Sequence, residues 1–212
     1  MDLTSAKRIA MVCNAILDHS ENVKSRLETF PFLAAIDGGA KHCRQLGLKP
    51  DIIIGDLDSC PPELLDYYSD VPFKTFPCDK DKTDLELALS LLMLPDTQEI
   101  TLFGALGKRI DHMLTNILIL SRFPGRLFIE SQHERLFVID KTVSLSCAVG
   151  QTLSLIPLNG PATGIYTEGL QWNLSNAVLD KNFIGISNRA EISQIRISVQ
   201  NGDLLCCVNI VH

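Results

Sequence analysis

The feature that most constrains this chain is a change of periodicity at Arg122-Phe123-Pro124-Gly125-Arg126. Before it, short β-branched runs at 8–13, 33–37, 51–56, 72–76 and 99–104 alternate with helix-patterned stretches at 22–30, 38–46, 61–69, 82–94 and 111–123. Such alternation predicts a mainly parallel sheet with helices on both faces, because parallel neighbours need a crossover that a helix supplies. The fourth helical stretch shows the local logic. Thr83 and Glu86 make a T-x-x-E capping box, and Leu85, Ala88, Leu89 and Leu92 then share one face. After the Pro-Gly break the runs read as strands, at 127–130, 135–139, 143–147, 152–157, 164–167, 192–199 and 204–211. Asn159-Gly160 and Asn201-Gly202 separate some of them, the second with the signature of a two-residue hairpin. The expected fold is therefore an α/β N-terminal domain over residues 1–125 and an all-β sandwich C-terminal domain over residues 126–212.

Composition narrows the function. A formal charge of −6 argues against a nucleic-acid partner, since such domains carry a basic face. No apolar run reaches the ~18 residues that cross a bilayer, so no membrane role is expected. Asp2 precedes the first apolar patch and Asn14 interrupts it, so the start reads as a first strand and not as a leader. The seven cysteines (13, 43, 60, 78, 147, 206 and 207) are odd in number and hold no C-x-x-C pair. They read as buried thiols of a cytoplasmic protein, not as a disulfide framework or zinc site.

The acidity is local: nine acidic residues against three lysines between Asp51 and Asp84. In an open parallel sheet, ligands bind beyond the carboxyl ends of the strands. Here those ends run into Asp37-Gly38-Gly39, Gly55-Asp56-Leu57-Asp58-Ser59, Asp79-Lys80-Asp81-Lys82-Thr83-Asp84 and the stretch from Gly104 to His112. Two carboxylates two residues apart, Asp56 and Asp58, can point hard oxygens at one Mg²⁺. Asp81 and Asp84 from the next loop strengthen that reading, because clustered carboxylates repel unless a cation neutralises them. The bland alternatives are a turn in which Asp or Ser bonds backbone amides, and an acid placed to suit a helix dipole. Gly38-Gly39 is either a tight turn or a place where a nucleotide approaches the backbone. Lys82 and Arg109 are candidate phosphate ligands. His112 and Asn116 share a helix face. Neither a Walker A nor a Rossmann glycine motif occurs.

Taken in order, D-G-G, G-D-x-D-S, D-x-x-T-D and G-x-x-G-x-R-x-D-H resemble thiamine pyrophosphokinase. The likeness continues in Gly169-Leu170-Gln171-Trp172-Asn173-Leu174 and Ile186-Ser187-Asn188. It implies a transferase that moves the pyrophosphoryl group of ATP onto the hydroxyl of thiamine, giving thiamine diphosphate and AMP. It implies Mg²⁺ held by Asp56, Asp58 and Asp84, and an ATP site lined by Asp37, Gly38, Gly39, Gly104 and His112. Lys82, Thr83, Arg109 and Asp111 would place phosphates. Trp172 would stack on thiamine, while Ser187 and Asn188 would bond its aminopyrimidine. It also implies a homodimer with active sites between subunits. A flat cationic heterocycle suits an indole face. Asp81 and Asp111 stand as alternative proton acceptors. The rival readings are another nucleotide-dependent kinase, a metal-dependent phosphohydrolase using the same carboxylates, or a ligand-binding module without turnover.

Overall fold

The computed structural model describes residues 7–76 and 81–211. Asp79, Lys80 and Cys78 lie outside the described residues. The chain divides into two compact units, residues 1–113 and 114–212. That division falls inside a helix, upstream of the Pro124-Gly125 break that the sequence pattern marks.

The first unit is built as β1 (Arg8–Val12), α1 (Glu21–Glu28), β2 (Leu33–Ile36), α2 (Gly39–Gln45), β3 (Ile52–Gly55), α3 (Pro62–Tyr67), β4 (Phe73–Thr75), α4 (Asp84–Leu92) and β5 (Glu99–Phe103). Its strands lie in the order β4-β3-β2-β1-β5, and every neighbouring pair is parallel. β2 and β3 are buried at every residue, as continuous apolar runs covered on both faces must be. One parity (Ala10, Val12, Leu33, Ala35, Ile53, Phe103) shares a core with Val23 and Leu27 of α1, Cys43 of α2 and Leu64 of α3. The other parity is buried as well, and α4 packs against β2 and β3. The capping box at Thr83 and Glu86 forms, and the buried residues of α4 are Leu85, Ala88, Leu89 and Leu92, the face read from spacing. Burial of each leucine contributes roughly 2 kcal/mol.

The next helix, α5 (Ile110–Ile119), runs into a 3₁₀ turn (Leu120–Arg122) that stops before Pro124. The second unit then holds β6 (Leu127–Glu130), β7 (Glu134–Ile139), β8 (Thr142–Ser146), β9 (Thr152–Glu168), β10 (Ala177–Leu179), β11 (Gly185–Arg189), β12 (Gln194–Ser198) and β13 (Asn201–Asn209). Its pairings are antiparallel, and its core joins Phe137, Leu155, Ala162, Ile165, Ile197 and Leu204.

Two expectations change here. The separate strands at 152–157 and 164–167 are one 17-residue strand, β9. Asn159 (φ 56°) and Gly160 (φ 128°) kink it without reversing it, and the Asn159 amide donates to Ser121 Oγ and Asp203 Oδ2. Asn201-Gly202 makes no hairpin either. β12 and β13 each pair with β9, so the chain passes between pairings at Val199-Gln200 instead of turning back on itself. A Cβ on Gly202 would lie 2.7 Å from the Pro161 carbonyl oxygen, so this glycine serves a close approach to the kink. The short strands β10 and β11, which pair with β9, carry no alternating pattern long enough to be read from sequence.

Candidate active site

In the first unit the order of strands reverses between β1 and β5, the place where open parallel sheets take ligands. The loops there are tied together. Ala15 N donates to Gly104 O at 2.8 Å, Ile16 N to Leu106 O at 3.1 Å, and Lys108 Nζ to Asn14 O at 2.6 Å. His42 donates from Nε2 to Ala15 O at 2.9 Å, which leaves its Nδ1 to accept from His19 Nε2 at 2.8 Å.

Next to this lies the acidic group. Asp37 follows β2 with φ 47°, and Leu57, between the two aspartates after β3, has φ 66°. Among the described residues of this unit, Lys108 is the third non-glycine residue with positive φ (58°). Each such residue costs on the order of 1 kcal/mol, and all three sit on loops beyond strand ends. Gly55 makes room for Asp37: a Cβ there would meet Asp37 Cβ at 3.0 Å. The result is that carboxylate oxygens of Asp37, Asp56 and Asp58 lie within 4.8 Å of one another. The turn reading is realised at the same time, since Asp58 N donates to Asp56 Oδ1 and Ser59 Oγ to Asp58 Oδ1. The Cys60 thiol donates to Asp37 O, and burial, then the charge of Asp37, push its pKa up to about 11, so it stays a neutral donor.

Asp84 is not in the acidic group. It occupies the first turn of α4 behind Thr83, whose hydroxyl accepts from Glu86 N and donates to Glu86 Oε2. Lys82, His112 and Asp81 are exposed. Arg109 spends its fork on Asp111, Nη2 to Oδ2 at 2.6 Å and Nε to Oδ1 at 3.1 Å. That contact first of all lowers the Asp111 pKa to about 2.

In the second unit, the 169–174 loop is pinned at every step. Leu170 is fully buried and its N–H donates to Asn173 Oδ1. Gln171 N donates to Arg189 O, and Leu174 N to Thr167 Oγ1. Trp172, held between these anchors, is 56% exposed. Ser187 is exposed with φ 59°, its N–H on Ser154 Oγ. Asn188 is buried, and its carboxamide bonds the backbone of Trp172.

Residues 23–129 match the family described as thiamin pyrophosphokinase, catalytic domain, and residues 138–204 match thiamin pyrophosphokinase, vitamin B1 binding domain. The chain belongs to the thiamin pyrophosphokinase family. It is 33% identical over 177 residues to thiamine pyrophosphokinase 1 of Oryza sativa subsp. japonica, covering 76% of this chain and 67% of that one. Against thiamine pyrophosphokinase 1 of Arabidopsis thaliana it is 32% identical over 178 residues, covering 76% and 66%. The chain thus spans about two thirds of the length of these curated relatives. Its fold is that of the thiamine pyrophosphokinase from Bacillus subtilis (TM-score 0.84, 20% identity, 97% of this chain and 100% of that one). The yeast thiamin pyrophosphokinase has the same fold (TM-score 0.82, 16% identity, 98% and 87%).

Within this thiamin pyrophosphokinase fold, three side chains escaped the sequence reading. Asn14 follows β1 as Asp37 follows β2, so the strand-end rule alone would have singled it out. Lys108 and Cys60 adjoin motif residues but carry no pattern of their own; only the folded loops show what they bond.

Proposed function

We propose that the chain is a thiamine pyrophosphokinase, transferring the pyrophosphoryl group of ATP to the hydroxyl of thiamine. The observation that carries this is the group Asp37, Asp56 and Asp58, three carboxylates within 4.8 Å at the carboxyl edge of a thiamin pyrophosphokinase-family fold. Such a set of hard oxygens fits Mg²⁺, which Asp37, Asp56 and Asp58 would hold; Asp84, at the start of α4, would join them on the family pattern alone. When bound, the ion would neutralise phosphate charge.

The remaining work falls to the chain. Gly38, Gly39 and Gly104 let the nucleotide lie close to backbone at the strand ends, with His112 alongside it. Lys82, Thr83 and Arg109 place the phosphates, Arg109 turning from Asp111 to do so. Positioning and charge neutralisation are the principal contributions to such transfers. The thiamine hydroxyl attacks the β-phosphorus and AMP leaves. Asp81 or Asp111 accepts the hydroxyl proton. Trp172 stacks on thiamine and Ser187 bonds its aminopyrimidine.

We further place the enzyme in the cytoplasm as a homodimer with active sites between subunits. Six described cysteines are free and five of them buried, which suits a reducing compartment. The dimer is supported by an exposed apolar row on α5, described below. Phosphorus NMR of the protein with ATP, Mg²⁺ and thiamine, repeated with EDTA, tests the reading. Thiamine-dependent AMP and a diphosphate ester, both abolished by EDTA, are expected. ADP, free phosphate, or no product with any divalent metal would refute it.

A further inference from the structure

The asparagine beside Ser187 is spoken for. Asn188 Oδ1 accepts from Trp172 N at 3.2 Å and from Arg189 N at 2.8 Å, and Asn188 Nδ2 donates to Trp172 O at 2.8 Å. A carboxamide has two acceptor sites and two donors. Both acceptor sites and one donor are therefore used on backbone, and the residue is 8% exposed. The pair of bonds to Trp172 imitates a strand pairing: one side chain takes both the N–H and the C=O of a single peptide residue. It also bridges a sequence separation of 16 between the 169–174 loop and β11. Because both polar backbone groups of Trp172 are fixed this way, the indole is free to move only about its own side-chain torsions.

We propose that Asn188 is a positioning residue that sets the direction of the Trp172 indole, and that ligand is met by the indole and Ser187 and not by the Asn188 amide. The ligand class is a flat heteroaromatic cation, and in that respect the inference rests on the thiamine reading. The local geometry does not: it concerns one backbone residue and one side chain.

Trp172 is the sole tryptophan, so its fluorescence reports this residue alone. Asn188→Ala removes all three bonds. Asn188→Asp keeps both accepted bonds and turns a carboxylate oxygen toward the Trp172 carbonyl, with almost no change in volume. In the ligand-free protein, both variants are expected to show lower indole anisotropy and stronger acrylamide quenching than wild type at unchanged far-UV circular dichroism. In turnover, the KM for thiamine should rise roughly tenfold, about what loss of one ordering hydrogen bond yields, while the KM for ATP stays put. Unchanged ligand-free fluorescence in both variants would overturn the proposal, whatever the kinetics show. If wild type turns over no thiamine, the functional reading fails, while the fluorescence arm still decides the positioning role.

Discussion

Replacing Gly39 by alanine isolates the approach that seats α2 on the end of β1. A Cβ there would fall 1.9 Å from the Val12 carbonyl oxygen and 2.7 Å from its carbon. Both are backbone atoms of a strand paired on either side, with Ala35 and Phe103 opposite Val12. No side-chain rotation can relieve the overlap, so α2 must withdraw by at least about 1 Å. Overpacking costs roughly 1–3 kcal/mol, and a backbone obstacle puts this case near about 3. Against it stands the helix propensity of alanine over glycine, at most about 1 kcal/mol, available because Gly39 begins α2 without a positive φ. The steric cost wins, for a net loss of about 2 kcal/mol. Gly47→Ala is the control: φ is +67° with nothing within 4 Å of the added carbon, so only the left-handed penalty of about 1 kcal/mol applies. Urea unfolding compares the two, and the KM for ATP should rise only in Gly39→Ala, since α2 opens beside Asp37 and Gly38. A Gly39→Ala protein within about 0.5 kcal/mol of wild type, or no worse than Gly47→Ala, would refute the reasoning.

Three more outcomes follow from the same structure. Asp58→Asn should remove most turnover while leaving the melting temperature near wild type, because Asp58 is exposed; near-normal turnover would contradict its part in holding the ion. His42 has its pKa lowered, by burial first, with the charges of His19 and Lys108 adding and the Ala15 carbonyl and Gln45 opposing. The unfolded chain therefore takes the proton first, so stability is full above about pH 7 and declines as pH falls through about 6.5. Urea midpoints between pH 8 and 5 should show this decline, and His42→Gln should flatten it; an unchanged slope in the variant sinks the assignment. Ile110, Leu114 and Leu118 are 71%, 53% and 48% exposed at helical spacing on α5, an apolar row suited to a second copy. Leu114→Asp should shift sedimentation from dimer to monomer, and a monomeric wild type would remove the row from the dimer argument.

Much of the first unit was legible because its rules are local. The T-x-x-E box, the apolar face of α4 and the continuous runs of β2 and β3 are written in neighbouring residues. The strand-end rule located Asp37, Asp56 and Asp58 before their oxygens were known to converge. What was hidden depended on partners far along the chain. Lys108 reaches Asn14 across 94 positions, and Asn188 reaches Trp172 across 16. In the second unit, Asn-Gly at 159–160 and 201–202 has the chemistry of a reversal, yet the first became a kink within β9 and the second a close approach to that kink. Local turn preference is worth about a kilocalorie and yields to the ladders of β9 and β13 on either side.

The length of β9 has a consequence for how the second unit comes apart. β10, β11, β12 and β13 all take hydrogen bonds from this one strand, so none can leave without exposing amides on it. β7 joins it through β13, β6 through β7 and β8 through β12, so the rest of the sheet hangs on the same strand. Deuterium should therefore enter the inner amides of β9 in a single slow class, set by opening of the whole β unit, while α1 and α3 exchange on their own schedule. The loop bearing Trp172 begins just past the end of β9 and is tied back to it by Leu174 N on Thr167 Oγ1, so its anchor opens only when that strand does.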